Sequence, residues 1–262
     1  MNSLIAIIIF IFGAIIGSYL NVVVIRWNTG RGRSGRSCCM SCGKTLSWYE
    51  LIPIFSFCAQ GGKCRTCKTD LSPQYFLVEV LTGLTFMGVY LSIAGRFLFD
   101  PFYLFIALSY YLTIVSILIC IALYDLKHKI IPNEMVYSFI MLSFIGIFLT
   151  QRFDILDNIL AGPILAAPFA LLWLLSKGRL MGFGDVKYML GMGFFLGLSS
   201  GFSALLISFW FGAIVSILMM GFSRSRVGMK TEVPFGPFLV FATLVVLIFQ
   251  VDFQTISSIF FR

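Results

Sequence analysis

Two aspartates stand out among the few charged residues of this chain. Asp185 closes the stretch Gly182-Phe183-Gly184-Asp185. Asp125 lies sixty residues earlier, in Tyr124-Asp125-Leu126-Lys127-His128-Lys129-Ile130-Ile131-Pro132-Asn133. Each sits where a long apolar stretch meets a basic segment, and an ionisable group at a bilayer boundary is a functional candidate by default. Two carboxyls held close together do not both ionise; they share a proton and titrate apart. One then acts as general base on a water, and the other as general acid toward a carbonyl oxygen. That chemistry is peptide hydrolysis without a covalent intermediate. Gly182 and Gly184 would let backbone approach a substrate closely and set Asp185 at a helix start. Pro132 ends the Asp125 segment, and Asn133 is suited to cap the next helix. The bland reading makes both aspartates helix-end charges that mark a membrane interface.

A second constellation is Cys39-Met40-Ser41-Cys42, then 21 residues, then Cys64-Arg65-Thr66-Cys67. Two such knuckles supply four thiolates to one tetrahedral zinc, and four thiolates leave no open position for water, so the metal is structural. The alternative is a pair of disulfides. Lys44 and Lys68 would offset part of the site's negative charge. Cys38, Cys58 and Cys120 are left over; Cys120 lies in an apolar stretch, where a small buried hydrophobe is the default.

The elements that must position these groups are membrane helices. The chain has 262 residues, 59% of them hydrophobic and only 11% charged, with a mean hydropathy of +0.98; a soluble core needs no such apolar excess. Candidate spans are 3–25, 75–95, 102–124, 135–150, 158–176, 187–199, 201–222 and 235–251. Residues 188–222 carry no charge. As one helix they would run about 52 Å at ~1.5 Å per residue, against a hydrocarbon core of about 30 Å. Two passes joined near Gly197-Leu198-Ser199-Ser200-Gly201 fit better. The expected fold is therefore all-α and polytopic, with about eight transmembrane helices and a small cytoplasmic zinc-binding insert.

The basic residues orient these spans. No positive residue precedes the first span and arginines follow it, which reads as an uncleaved anchor with its N-terminus outside. The cytoplasmic segments are then 26–72, 125–133, 177–187 and 223–233, and they hold 16 of the 19 Lys and Arg residues. Only Arg96, Arg152 and Arg262 fall elsewhere. This orientation puts Asp125 and Asp185 on one face, and the insert in a reducing compartment that disfavours disulfides. The net charge of +8 is thus mainly a topology signal, and no nucleic-acid partner is expected.

From end to end the chain resembles the type IV prepilin peptidases. These are the leader peptidase and N-methyltransferase enzymes of pilus, type II secretion and competence systems, grouped with the Gly-x-Gly-Asp intramembrane aspartyl proteases. The residues that carry the likeness begin with Gly13-Ala-Ile-Ile-Gly17-Ser18-Tyr19-Leu20-Asn21-Val22-Val23 and both cysteine pairs. They continue through Leu46-Ser47-Trp48-Tyr49-Glu50-Leu51-Ile52-Pro53, Gly62-Lys63-Cys64-Arg65 and Tyr75-Phe76-Leu77-Val78-Glu79-Val80-Leu81-Thr82-Gly83. The segment from Asp125 to Asn133, Met181-Gly182-Phe183-Gly184-Asp185-Val186-Lys187 and Val233-Pro234-Phe235-Gly236-Pro237-Phe238 complete them. Gln74-Tyr75-Phe76 departs from the family's usual Arg-Tyr-Pro without touching a catalytic position.

The resemblance implies that Asp125 and Asp185 are the catalytic pair. The implied substrate is a prepilin or pseudopilin with a short basic leader, then Gly, then usually Phe, then an apolar helix with Glu at its fifth position. It implies as well a bacterial cytoplasmic (inner) membrane location, and methyl transfer from S-adenosylmethionine to the new amine. No Rossmann-type glycine fingerprint accompanies that cofactor. The expected domains are the first helix, 1–25, the four-cysteine insert, 26–72, and a membrane-embedded aspartyl peptidase domain, 73–262.

Other residues divide between roles. Glu79 would hold a substrate amine or the cofactor's positive charge, or simply reach water, and Glu50 is similar. Gly83 would serve methyl transfer or close helix packing. Lys187 would attract the catalytic carboxylate or mark the interface. His128, the only histidine, reads as a solvated residue. The pairs Gly13/Gly17 and Gly193/Gly197 read as helix contacts. Competing functions are a transporter, a silent scaffold for an assembly platform and an intramembrane protease with other substrates. Transport predicts carboxylates near the bilayer midplane between broken helices, whereas these lie at the ends of spans.

Overall fold

The computed structural model describes residues 2–27, 35, 37–95, 100–149, 155–222 and 234–260. The basic segment 223–233, Arg96, Arg152 and Arg262 lie outside the described residues, as do residues 28–34 and 36 of the insert. Among the described residues the structure is helical, apart from isolated bridges of Cys38 with Thr45 and Lys63 with Asp70. Two compact units divide the chain, Met1–Arg96 and Phe97–Arg262.

The first unit contains α1 (Asn2–Arg26), a 3-10 turn (Trp48–Leu51), α2 (Phe55–Ala59) and α3 (Pro73–Ala94). The first compact unit takes in α3. Pro73 and the Ser72 hydroxyl, which accepts from the Gln74 N–H at 3.3 Å, start α3. The helices α1 and α3 meet through small residues. A Cβ on Gly13 would lie 2.9 Å from Gly83 Cα, and one on Gly83 would lie 2.9 Å from the Phe10 carbonyl oxygen. Lipid is as apolar as leucine, so such close backbone packing is what holds membrane helices together.

The second unit contains α4 (Pro101–His128), α5 (Asn133–Leu149), α6 (Ile155–Ser176), α7 (Phe183–Leu196), α8 (Leu198–Phe222), α9 (Gly236–Phe249) and α10 (Phe253–Phe260). All eight apolar stretches read from the sequence are helices. Five of them, α1, α3, α4, α6 and α8, are long and apolar enough to cross a membrane. The other three are shorter: α5 has 17 residues, α7 has 14 and α9 has 14. The expected break in the charge-free run is at Gly197, whose φ of +82° suits glycine and ends α7. Gly193 lets α7 lie against α6, since a Cβ there would be 2.5 Å from Gly162 Cα. The core around α5 and α7 is aromatic. The rings of Phe139 and Tyr188 are 5.3 Å apart, and the fully buried Tyr188 shares a 2.9 Å hydrogen bond with Thr243 of α9.

Candidate active site

Asp125 occupies the last turn of α4 and is 4% exposed. A carboxylate there faces the negative end of its own helix, so it needs support from elsewhere. The support is α9. Its first residue, Gly236, donates its backbone N–H to Asp125 Oδ2 at 3.1 Å, so the positive end of α9 meets the charge. Only glycine allows this approach, because a Cβ at 236 would come within 2.5 Å of that oxygen. The turn after α4 is closed by Lys129, whose φ of +54° lets its N–H donate to the Asp125 carbonyl at 2.7 Å.

Asp185 is partly exposed and stands in the first turn of α7, three residues after the N-cap Gly182. A Cβ on Gly182 would sit 3.5 Å from Asp185 Oδ2. The helix start thus lends its positive end to this second carboxylate. The fold brings the two aspartates close enough for the charge of Asp125 to act on Asp185.

Ile131 is the spacer between their supports. It is buried, and Cβ atoms added at Gly184 and Gly236 would lie 2.9 Å and 3.3 Å from its side chain. Gly184 is therefore small because of Ile131, whereas at Gly236 Ile131 adds to the closer approach of Asp125 Oδ2. The sequence reading missed Gly236 and Ile131 as parts of the site. A glycine between two prolines, Pro234-Phe235-Gly236-Pro237, was the available signal, since it marks a turn that a ligand or backbone approaches closely.

Lys187, open in the sequence between a carboxylate partner and an interface marker, meets other groups. Its Nζ donates to Asn133 Oδ1 at 2.8 Å and lies 4.9 Å from the ring centres of both Tyr137 and Phe183. It ties the first turn of α7 to the first turn of α5. Asn133, expected as a cap, spends its oxygen on that lysine. His128 is exposed and stacks on Tyr124 with ring centres 4.4 Å apart.

In the first unit the four cysteines converge. The Sγ atoms of Cys39, Cys42, Cys64 and Cys67 all lie within 4.8 Å of one another, with Cys39 and Cys67 at 3.7 Å. A tetrahedral zinc with Zn–S near 2.3 Å requires sulfur separations of about 3.8 Å, so the donor set fits that metal. The two knuckles have the same backbone. The N–H of Cys39 donates to Lys44 and that of Gly43 to Cys39, while Cys64 donates to Thr69 and Lys68 to Cys64. Gly43 and Lys68 hold the equivalent positive-φ position, at +70° and +59°.

These turns also tune the thiols. The N–H groups of Cys42 and Ser41 pull Cys39 below its ordinary value, and the Thr69 hydroxyl and N–H bring Cys67 down to about 6. Cys42 moves the other way, to about 11. The Lys44 N–H favours its thiolate, but burial and the neighbouring thiols Cys39 and Cys67 outweigh it. Four thiolates so close together need a cation among them.

The residues weighed for methyl transfer fall into different roles. Glu50 is buried and accepts from the Ser47 N–H at 2.8 Å, fastening the 3-10 turn. Gly83 is part of the α1–α3 contact. Glu79 is buried and accepts from the Ile54 N–H at 2.7 Å.

Helices of this length and hydropathy, carrying an acidic pair at helix ends and a four-cysteine insert, define a multi-pass membrane protein. Residues 112–217 match the type IV leader peptidase family and residues 11–93 match the bacterial peptidase A24 N-terminal domain. The chain belongs to the type IV leader peptidase family. It is 33% identical to a prepilin leader peptidase/N-methyltransferase of Myxococcus xanthus, over 88% of this chain and 68% of that one. Proteins of the same name from Bacillus subtilis and Pseudomonas aeruginosa are 30% and 27% identical. These alignments cover 88% and 91% of this chain, and 88% of each relative. No solved structure matches the chain.

Proposed function

We propose that the chain is a membrane aspartyl endopeptidase that removes the leader of prepilins or pseudopilins, and that it N-methylates the new terminus. Asp125 and Asp185 form the catalytic pair in this reading. The observation that carries it is the Gly236-to-Asp125 hydrogen bond together with Asp185 at the start of α7. Two carboxylates sixty residues apart are each served by a helix N-terminus around one shared spacer, Ile131. A scaffold or a pair of interface charges has no use for that arrangement.

In the cleavage step, one carboxylate takes a proton from water as the water oxygen bonds to the scissile carbonyl carbon. The other carboxyl gives its proton to the carbonyl oxygen. Collapse of the tetrahedral adduct breaks the C–N bond: the amine leaves with the proton held by the base, and the second carboxylate takes back a hydroxyl proton as the new carboxyl forms. Gly182 and Gly184 keep the approach to Asp185 open, and Lys187 holds the helix that carries it. S-adenosylmethionine supplies the methyl group of the second activity.

The positive-inside distribution supports a cytoplasmic active site and an external N-terminus. A basic leader stays on the cytoplasmic side, which agrees. Zinc on Cys39, Cys42, Cys64 and Cys67 serves as a fold support for the insert.

The test is product mass. Detergent-purified protein incubated with a prepilin and labelled S-adenosylmethionine should yield mature pilin carrying one methyl group. Cleavage without methyl would reduce the enzyme to a peptidase, and no cleavage of a bound substrate would favour the scaffold.

A further inference from the structure

In the first unit a groove of about 990 Å³ runs along α1 from Phe10 to Arg26. Its other wall is the segment from Trp48 to Cys58, which belongs to the insert. The α1 wall lies on a helix long and apolar enough to cross a membrane, and its Ile11 and Ile15 are more than half exposed. In a span, such side chains face lipid. The insert wall continues this surface. Its Trp48, Phe55 and Leu51 are 76%, 66% and 43% exposed. Apolar side chains gathered like this on a segment outside the spans mark an interaction surface.

Two contacts fix where this segment lies along α3, itself long and apolar enough to span. The rings of Phe57 and Phe76 stack with centres 5.4 Å apart. Three residues further along α3, the buried Glu79 takes the Ile54 N–H on Oε2 at 2.7 Å. Glu79 stands six residues past Pro73, about 9 Å along the helix at ~1.5 Å per residue. The segment therefore runs beside the first two turns of α3 and does not stop at its end. The Gly13–Gly83 contact holds α3 against α1, so both walls of the groove belong to one packed pair of helices.

The backbone of the segment suits a place without water. Ile54 has φ +65° and ψ −56°, the positive-φ form of the three-residue γ-turn. The carbonyls of Ile52, Pro53 and Ile54 accept from Ser56, Phe55 and Cys58 at 3.0, 2.6 and 3.1 Å. In hydrocarbon an unmet N–H is costly, so non-helical backbone there needs protein partners. A buried carboxylate spent on the Ile54 N–H is such a partner. Trp and Tyr rings gather where bilayer meets water; Tyr49, next to Trp48, carries the Arg65 guanidinium 5.1 Å from its ring centre, a cation suited to the headgroup layer. We infer that the Trp48–Cys58 segment is embedded in the edge of the bilayer, and that phospholipid acyl chains fill the groove between it and α1. Acyl chains are the occupant because both walls continue the lipid-facing surface of α1.

The full chain is reconstituted in liposomes of phosphatidylcholine, ordinary or brominated along its acyl chains, and tryptophan fluorescence is read with and without iodide in the water. The difference between wild type and Trp48→Phe isolates Trp48 from Trp27, Trp173 and Trp210. That difference should lose most of its intensity in brominated lipid and far less to iodide. Phe55→Trp places a second emitter in the groove and should behave alike. Circular dichroism reports the folding of each variant. Quenching of both emitters by iodide and not by brominated lipid would put the segment in water. Quenching by neither would mean that protein covers the groove. Either result overturns the inference.

Discussion

The four-cysteine insert and the aspartate pair both gather acidic groups, and they do so by opposite means. In the insert the ligands come in twos, each pair three positions apart in sequence and held by one turn. The partners that stabilise the thiolates are local N–H groups, and the remaining charge calls for a cation. In the aspartate site each carboxylate is alone on its own helix. Support for Asp125 comes from the start of a helix far away in sequence, α9, and support for Asp185 from the start of its own helix, α7. Local geometry therefore makes the insert robust and readable. The aspartate pair depends on the packing of a whole unit.

This contrast ranks the consequences of mutation. Replacing Asp125 or Asp185 with Asn should lower prepilin cleavage at least about 10³-fold, since a proton-transfer group is lost. Next come the glycines. Gly236→Ala should cost about 10²-fold in cleavage, because the new Cβ collides with Asp125 Oδ2 and displaces it. Gly184→Ala should do the same by pressing on the Ile131 Cβ, 2.9 Å from the added methyl. Cleavage at the wild-type rate would show that Ile131 does not fill that space.

Effects in the insert should be of another kind. Cys64→Ser should abolish binding of one zinc per chain, measured by elemental analysis, and lower the thermal stability of the purified protein. Unchanged metal content would refute the zinc site. The smallest effect is Lys68→Gly. Lys68 strains at φ +59° where the twin knuckle has Gly43, so glycine should raise stability by up to about 1 kcal/mol, read as a small increase in melting temperature. A clear decrease would show that the two knuckles are not equivalent.

The same contrast explains what was legible beforehand. Hydropathy identified every apolar helix, because a helix buries its own backbone and needs no partner to be recognised. The break at Gly197 followed from length alone. The cysteine spacing contained its own geometry. The shortness of α5, α7 and α9 was harder to read, since apolar sequence continues past the helix ends. Asp125 and Asp185 were visible as boundary carboxylates, and the helix start under Asp185 was legible in its glycines, but the support of Asp125 was not. Gly236 and Ile131 matter only through contacts across 111 and 53 residues of chain. The sequence leaves Lys187 open between a carboxylate partner and an interface marker; two rings and an amide meet it. Glu79 stays open in the sequence between holding a positive charge and reaching water, because its backbone partner, Ile54, has no sequence signature for a positive φ.

The most direct measurement compares the two regions in one assay: prepilin cleavage by purified Asp185→Asn and Cys64→Ser, at matched amounts of folded, membrane-extracted protein. The account predicts no detectable cleavage from Asp185→Asn and a measurable rate from Cys64→Ser. Cleavage by Asp185→Asn at the wild-type rate would contradict it.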